Sequence, residues 1–193
     1  MTLNKKYWES RYFEKSTGWD LGRISPPLKE YIDQLSDKEI KILIPGAGNS
    51  YEAEYLFSRG FKNVYILDFA RQPLLNIQNR IPSFPKEHLI EQDFFEHKGQ
   101  YDLLLEQTFF CALPVEQRKQ YSKKAYDLLK PEGKLAGVLF NINFPKPGPP
   151  FGGSKKEYED CFKNNYEIKV LEPCYNSIEP RQGIELFFIF KKK

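Results

Sequence analysis

Cysteine is scarce and unpaired in this chain: its 193 residues hold three, Cys111, Cys161 and Cys174, none in a C-x-x-C pair. That argues against a disulfide framework and against a zinc or other metal site, and it fits a reducing cytoplasm. No apolar run reaches membrane-spanning length and residues 1–9 have no hydrophobic signal core, so a soluble cytoplasmic protein away from membranes is expected. Clustered positive charge is missing too. The formal net charge is +3, the one basic run (191–193) lacks interleaved aromatics, and nucleic acid is not an expected partner. Without repeats or low-complexity tracts, the chain reads as one domain long enough to bury a full sheet, and nothing in it demands more than a monomer.

Aromatic residues are plentiful, with 12 Tyr, 16 Phe and 2 Trp, enough to fill a core and also line an apolar pocket. Seven short apolar runs, at 41–45, 63–67, 88–92, 101–106, 134–140, 166–171 and 184–190, are strand candidates, and helix-compatible stretches separate most of them. That alternation predicts an α/β fold with a mostly parallel sheet and helices on both faces. The stretch 172–183 has no helical pattern, so the last two runs are expected to form a hairpin that inserts one antiparallel strand. Five parallel strands followed by such a hairpin is a Rossmann-like arrangement typical of class I methyltransferases rather than of dehydrogenases.

The most informative segment is Lys41-Ile42-Leu43-Ile44-Pro45-Gly46-Ala47-Gly48-Asn49-Ser50-Tyr51-Glu52, a buried strand running into a glycine turn that opens a helix. The glycines let backbone pass close to a ligand, the helix amides point at it, and Asp68 at the tip of the next strand suits a ribose diol. Asp68 also suits a helix N-cap. An NAD(P)-type oxidoreductase is the rival enzyme reading, weakened because Tyr51 fills the last glycine of a G-x-G-x-x-G fingerprint. Residues 1–35 stand apart from the 36–193 α/β core. They carry Trp8, Tyr12 and Trp19 and a helix expected at 28–35, and they read either as a lid over the ligand or as a helical cover. His88 and His97 are expected to face solvent or cap turns.

At these positions the chain resembles the thiopurine S-methyltransferase family, most closely its halide and thiol methyltransferase branch. The resemblance rests on Trp8-x3-Tyr12-x6-Trp19-Asp20-x-Gly22-Arg23, Ile44-Pro45-Gly46-Ala47-Gly48, Leu67-Asp68, Gln92-Asp93-Phe94-Phe95, Gln107-Thr108-Phe109-Phe110-Cys111-Ala112-Leu113 and Gly148-Pro149-Pro150-Phe151. It spans Trp8 to about Glu185. It implies a single S-adenosylmethionine-dependent domain that methylates a small sulfur nucleophile or a halide by in-line displacement and leaves S-adenosylhomocysteine.

The resemblance also implies roles. Gly46 and Gly48 pass under the methionine moiety, Asp68 accepts from the ribose, and Asp93 with the Phe94 main chain reads adenine. Gln107 lies beside the transferable methyl, and Trp8, Tyr12 and Trp19 close over the cofactor. Phe109, Phe110, Cys111, Phe140 and Phe151 are candidates for the acceptor pocket, at least one of the phenylalanines being ordinary core. Asp93 is alternatively a turn cap, and Arg181 either attracts anionic acceptors or pairs with an acidic neighbour. Cys111 has no histidine partner and is not read as a nucleophile. Gln107, Phe140 and Tyr12 depart from the branch's pattern, which leaves the acceptor more open than the cofactor. A domain that binds cofactor without turnover is the non-enzymatic alternative.

Overall fold

Residues 42–45 have no polar side chain, and a run that is apolar on both faces belongs in the middle of a covered sheet. The computed structural model, which describes residues 3–193, places it there. The strands are β1 (Ile42–Pro45), β2 (Val64–Asp68), β3 (Leu89–Glu91), β4 (Tyr101–Gln107), β5 (Leu129–Phe140), β6 (Tyr166–Pro173) and β7 (Glu185–Lys192). They form one sheet in the order β3-β2-β1-β4-β5-β7-β6. The first five run parallel, and β7 lies antiparallel to β5 and to β6; the 172–183 connection that makes the β6–β7 hairpin holds only a short 3-10 turn at Glu179–Arg181. The strand order turns round at β1 and β4, and open α/β sheets bind ligands beyond the carboxyl ends of strands at such a point.

Side-chain alternation divides the core into two layers. Ile42 and Ile44 of β1 pack with α2 (Pro26–Asp33), α3 (Tyr51–Ser58) and α4 (Arg71–Arg80), through Leu28, Ile32, Ala53, Leu56, Leu74 and Ile77. Leu43 points the other way, toward Tyr121 and Leu128 of α5 (Arg118–Leu128) and Phe162 of α6 (Lys155–Phe162). Strand β5 starts before the expected residue 134, because buried Leu129 pairs with Tyr101 before the ladder skips residues 130–133 and resumes at Lys134 with Leu103.

The N-terminal 35 residues split into two parts. Helix α1 (Lys5–Phe13), capped by the Asn4 side chain accepting from the Tyr7 amide at 3.0 Å, has no buried residue and lies against α4. Helix α2 starts two residues earlier than expected, since Pro26 and Pro27 occupy its first turn, where a missing N–H costs nothing. Its Leu28 and Ile32 are fully buried, each contributing about 1.5–3 kcal/mol of burial, so α2 is core.

Candidate active site

The turn after β1 holds Gly46, Gly48 and Ser50 at φ +55°, +53° and +43°, a left-handed path that sharply redirects the chain into α3. Gly46 lines the cleft, and on its side-chain side a Cβ would lie 2.1 Å from the Phe109 ring. Gly48 also lies open to the cleft, beneath the Tyr12 hydroxyl and the Trp19 indole. Its amide donates to Asp68 Oδ2 at 3.0 Å, while the Ala70 amide donates to Oδ1 at 2.8 Å. Burial nevertheless pushes the Asp68 carboxyl up to about 6. Each of its oxygens keeps a second lone pair for a hydroxyl donor.

Trp8 and Tyr12 meet Trp19 edge-to-face, with ring centroids 5.4 and 5.8 Å apart, and all three line the cleft from above. Two polar ties hold this cover down. The Asn49 amide donates to Asp20, and Arg181 Nη2 donates to the Trp19 carbonyl at 3.0 Å. Burial and the nearby Asp68 carboxylate push the Tyr12 phenol well up, so it stays a neutral hydroxyl.

The floor continues along the strand tips. At β3, Asp93 lines the cleft and also accepts from the Phe95 amide at 2.8 Å, so the turn cap is present alongside the ligand-facing position. Phe94 lines the cleft and stacks on Tyr121 at 5.3 Å. At β4, Gln107 Oε1 accepts from the Ser25 hydroxyl at 3.1 Å, and its Nε2 is buried without a partner. Phe109, Cys111, Phe140 and Arg181 complete the far end. Arg181 pairs with Glu185 at 3.3 Å, both nearly sealed from solvent, and lies 5.5 Å over the Phe140 ring. Together these residues line one continuous cleft of about 1150 Å³. That exceeds the usual range for a single drug-sized ligand, roughly 300–1,000 Å³.

Two expected acceptor-pocket residues stand elsewhere. The short 3-10 turn after β4 sends Phe110 away from the cleft, into the layer of Tyr121, Tyr158 and Phe162, where it is 1% exposed. Phe151 is held by its main chain, its amide donating to the Cys111 carbonyl at 2.6 Å, and the same loop instead turns Phe144, Pro149 and Pro150 into the cleft. His97, expected to face solvent or to cap a turn, is buried between Gln92 Oε1 at 2.9 Å and the Tyr101 hydroxyl at 2.8 Å.

Two buried acids were not anticipated. Glu106 accepts from the Phe109 and Phe110 amides at 2.7 and 2.9 Å and from the Tyr121 hydroxyl at 2.6 Å, which fixes the turn that presents Phe109. Its place as the one acid in the 103–106 stretch of β4 was the signal available. Glu52, on the first turn of α3, lines the cleft at 5% exposure, and burial pushes it up to about 7.

The donors and acceptors present suit S-adenosylmethionine. A buried carboxylate stands at the β2 tip, and Gln107 and Ser50 line the cleft, with Gln107 Nε2 and Ser50 Oγ buried and without partners. An unmatched buried polar atom costs about 1–3 kcal/mol, so a polar ligand that engages these two is favoured. Sheet order, reversed β7, glycine turn and Asp68 together define a class I S-adenosylmethionine-dependent methyltransferase. The fold is shared with Burkholderia thailandensis 1,6-didemethyltoxoflavin-N1-methyltransferase, solved with S-adenosylhomocysteine (TM-score 0.80, 14% identity, 99% of this chain and 88% of that one). A TehB-like SAM-dependent methyltransferase from Corynebacterium glutamicum shares it too, with TM-score 0.67, 14% identity and 98% of each chain covered.

The model of the thiopurine S-methyltransferase family matches residues 3–188, and the chain belongs to that family. Thiocyanate methyltransferase 1 of Brassica oleracea is 28% identical over 197 residues, covering 99% of this chain and 87% of the relative. Thiopurine S-methyltransferase of Psychrobacter cryohalolentis is 26% identical, covering 88% and 89%. The oxidoreductase reading ends with this membership.

Proposed function

We propose that this methyltransferase acts on a small thiol, hydrosulfide, a thiopurine or a halide inside the β4–β5–β7 end of the cleft. The relatives' names, thiocyanate and thiopurine methyltransferases, support that range of acceptors. The observation that carries the reading is the continuity of the cleft, which Asp68 at the β2 tip, Gln107 at the β4 tip and Phe140 at the β5 tip all line. The cofactor supplies an electrophilic methyl on a sulfonium sulfur. Asp68 holds the ribose hydroxyls, Asp93 and the Phe94 main chain hold adenine, and Gln107 steadies the methionine portion. Residues 3–25 act as the lid, with Trp8, Tyr12 and Trp19 closing over the cofactor, where their faces also favour the sulfonium charge.

The protein's part in the reaction is alignment and exclusion of water rather than covalent chemistry. Cys111 is unsuited to attack, because burial holds its thiol well above the usual range. Its Sγ donates to the Thr108 carbonyl at 3.2 Å. The enzyme works as a cytoplasmic monomer. Three free cysteines support the compartment, and among the described residues no helix is long and apolar enough to cross a membrane. The test is mass detection of the headspace over enzyme, S-adenosylmethionine and, separately, iodide, hydrosulfide or thiocyanate, with a thiopurine vial read by liquid chromatography. Methyl iodide, methanethiol, methyl thiocyanate or the methylated purine above the enzyme-free control is expected. Cofactor binding with no product in any vial would reduce the protein to a binding domain.

A further inference from the structure

S-adenosylmethionine carries one negative group, the carboxylate of its methionine portion, and none of the side chains assigned above answers it. Asp68 and Asp93 are acids themselves, and Asp20, Glu52 and Glu91 add negative charge to the same cleft. A carboxylate taken out of water there needs a cation and hydrogen-bond donors. Among the described residues the cations that line the cleft are Lys5, Arg11, Arg23 and Arg181.

Two of these are committed. Lys5 Nζ donates to Glu91 at 2.5 Å at the end of β3, beside the place proposed for adenine. Arg181 donates to Glu185 at 3.3 Å and to the Trp19 carbonyl at 3.0 Å. Arg23 is exposed on the connection between α1 and α2, where solvent screens its charge. Arg11 differs from all three. Its Nε is buried without a partner, and its guanidinium carbon lies 5.8 Å from the Trp19 ring centroid, within cation–π range. Asp20, the acid next to Trp19, is already engaged by the Gly22 amide at 2.8 Å and by the Asn49 side chain.

The same indole locates the guanidinium along the cleft. A Cβ on Gly48 would lie 3.8 Å from Trp19 Nε1 and 3.1 Å from the hydroxyl of Tyr12, the residue after Arg11. Arg11 thus stands on the lid one aromatic ring away from the glycine turn.

We propose that Arg11 binds the methionine carboxylate of the cofactor from the lid side, an assignment that rests on the methionine portion lying over the glycine turn. A guanidinium presents parallel N–H donors that match a carboxylate, and the pair gives a partner to a buried donor that is costly to leave unmatched. The lid then closes on charge: an adenosine ligand without the carboxylate meets Asp68 and the aromatic faces but forms no ion pair with the cover.

Decarboxylated S-adenosylhomocysteine keeps adenine, ribose, thioether and amine and lacks only that carboxylate. By calorimetry the wild type is expected to bind S-adenosylhomocysteine at least about tenfold tighter than this analogue. Arg11→Met weakens S-adenosylhomocysteine by about 10- to 100-fold and the analogue by less than about threefold, and Arg11→Lys, which keeps the charge without the fork, falls between. Helix α1 has no buried residue, so these variants leave the core intact. Equal weakening of both ligands makes Arg11 a support for Trp19 and overturns the proposal. Unchanged S-adenosylhomocysteine affinity overturns it too, and a raised KM for 3-mercaptopropionate would then give the guanidinium to the acceptor. A selective loss in Arg23→Gln with none in Arg11→Met moves the role to Arg23. Should Arg11→Met fail to fold, equal wild-type affinity for the two ligands overturns the proposal alone. Asp68→Ala weakens both ligands alike; if it weakens neither, the proposed placement of the cofactor fails, and the assignment of Arg11 with it.

Discussion

The two ends of the cleft are made of different material. Around β1 and β2 the floor of the cleft depends on backbone conformation: a left-handed glycine turn and an aspartate tied down by the Gly48 and Ala70 amides. Around β4, β5 and β7 it is side chain: Phe109, Phe140 and a sealed Arg181–Glu185 pair. Backbone positions depend on conformation and tolerate little change, whereas side chains can be exchanged while the scaffold persists. A fold that keeps one cofactor and varies its acceptor puts its constant chemistry in the first and its variable chemistry in the second.

Breaking the acceptor end at its ion pair gives the largest expected effect. Arg181→Met strands Glu185 as a buried, unpaired acid and costs about 3–5 kcal/mol of stability, read by urea unfolding. Replacing both partners, Arg181→Met with Glu185→Leu, recovers most of that loss, because the penalty lies in the orphaned charge rather than in the lost attraction. A double variant as unstable as the single one would show that the pair is a scaffold contact with no such compensation.

The cofactor end is next. Asp68→Ala removes both charged acceptor oxygens and weakens S-adenosylhomocysteine binding by about 2–4 kcal/mol, roughly 30- to 1000-fold by calorimetry. The wild type shows a weaker form of the same effect with pH. Asp68 carries a raised value of about 6, so its ionised form is lost as pH falls through 6, and an acceptor oxygen becomes a donor. Binding is therefore expected to weaken on acidification through that range and to stay level above it.

Gly46→Ala probes where the two ends touch. The substitution forces a left-handed φ on alanine and drives its Cβ into the Phe109 ring, for a loss of about 2 kcal/mol. Only the second part depends on Phe109. A cycle with Phe109→Ala should show coupling of about 1 kcal/mol, and zero coupling would mean that the strain is wholly backbone.

The same contrast governs what could be read in advance. Strand β1, its turn and the place of Asp68 at the β2 tip were legible because apolar burial and glycine conformations are local properties, and the lack of an amphipathic helix pattern in 172–183 foretold the reversed β7. Phe110 was not, because the direction of a side chain after β4 depends on a 3-10 turn that Glu106 fixes from inside the core, and Phe151 was not, because its amide is held by the Cys111 carbonyl from a distant segment. Glu52 escaped for a related reason. An acid at the start of a helix reads as an ordinary favourable charge near the dipole, and its burial comes from tertiary packing that no local pattern carries. The burial of His97 was not legible because its partners Gln92 and Tyr101 come from either side of a loop whose closure no spacing rule predicts.

The smallest effect falls on the boundary residue. Gln107→Leu removes the Ser25 hydroxyl bond, worth about 1 kcal/mol, but also removes the unpartnered Nε2, whose burial costs about as much. Stability should therefore move little, within about 0.5 kcal/mol by unfolding. The ligand experiences no such cancellation. If Nε2 is a donor kept for the cofactor, affinity for S-adenosylhomocysteine falls by about tenfold with stability unchanged. A variant that loses stability and keeps its affinity would place Gln107 in the scaffold, and the division between the two ends would then run between β1 and β4 instead of through the side chain at the β4 tip.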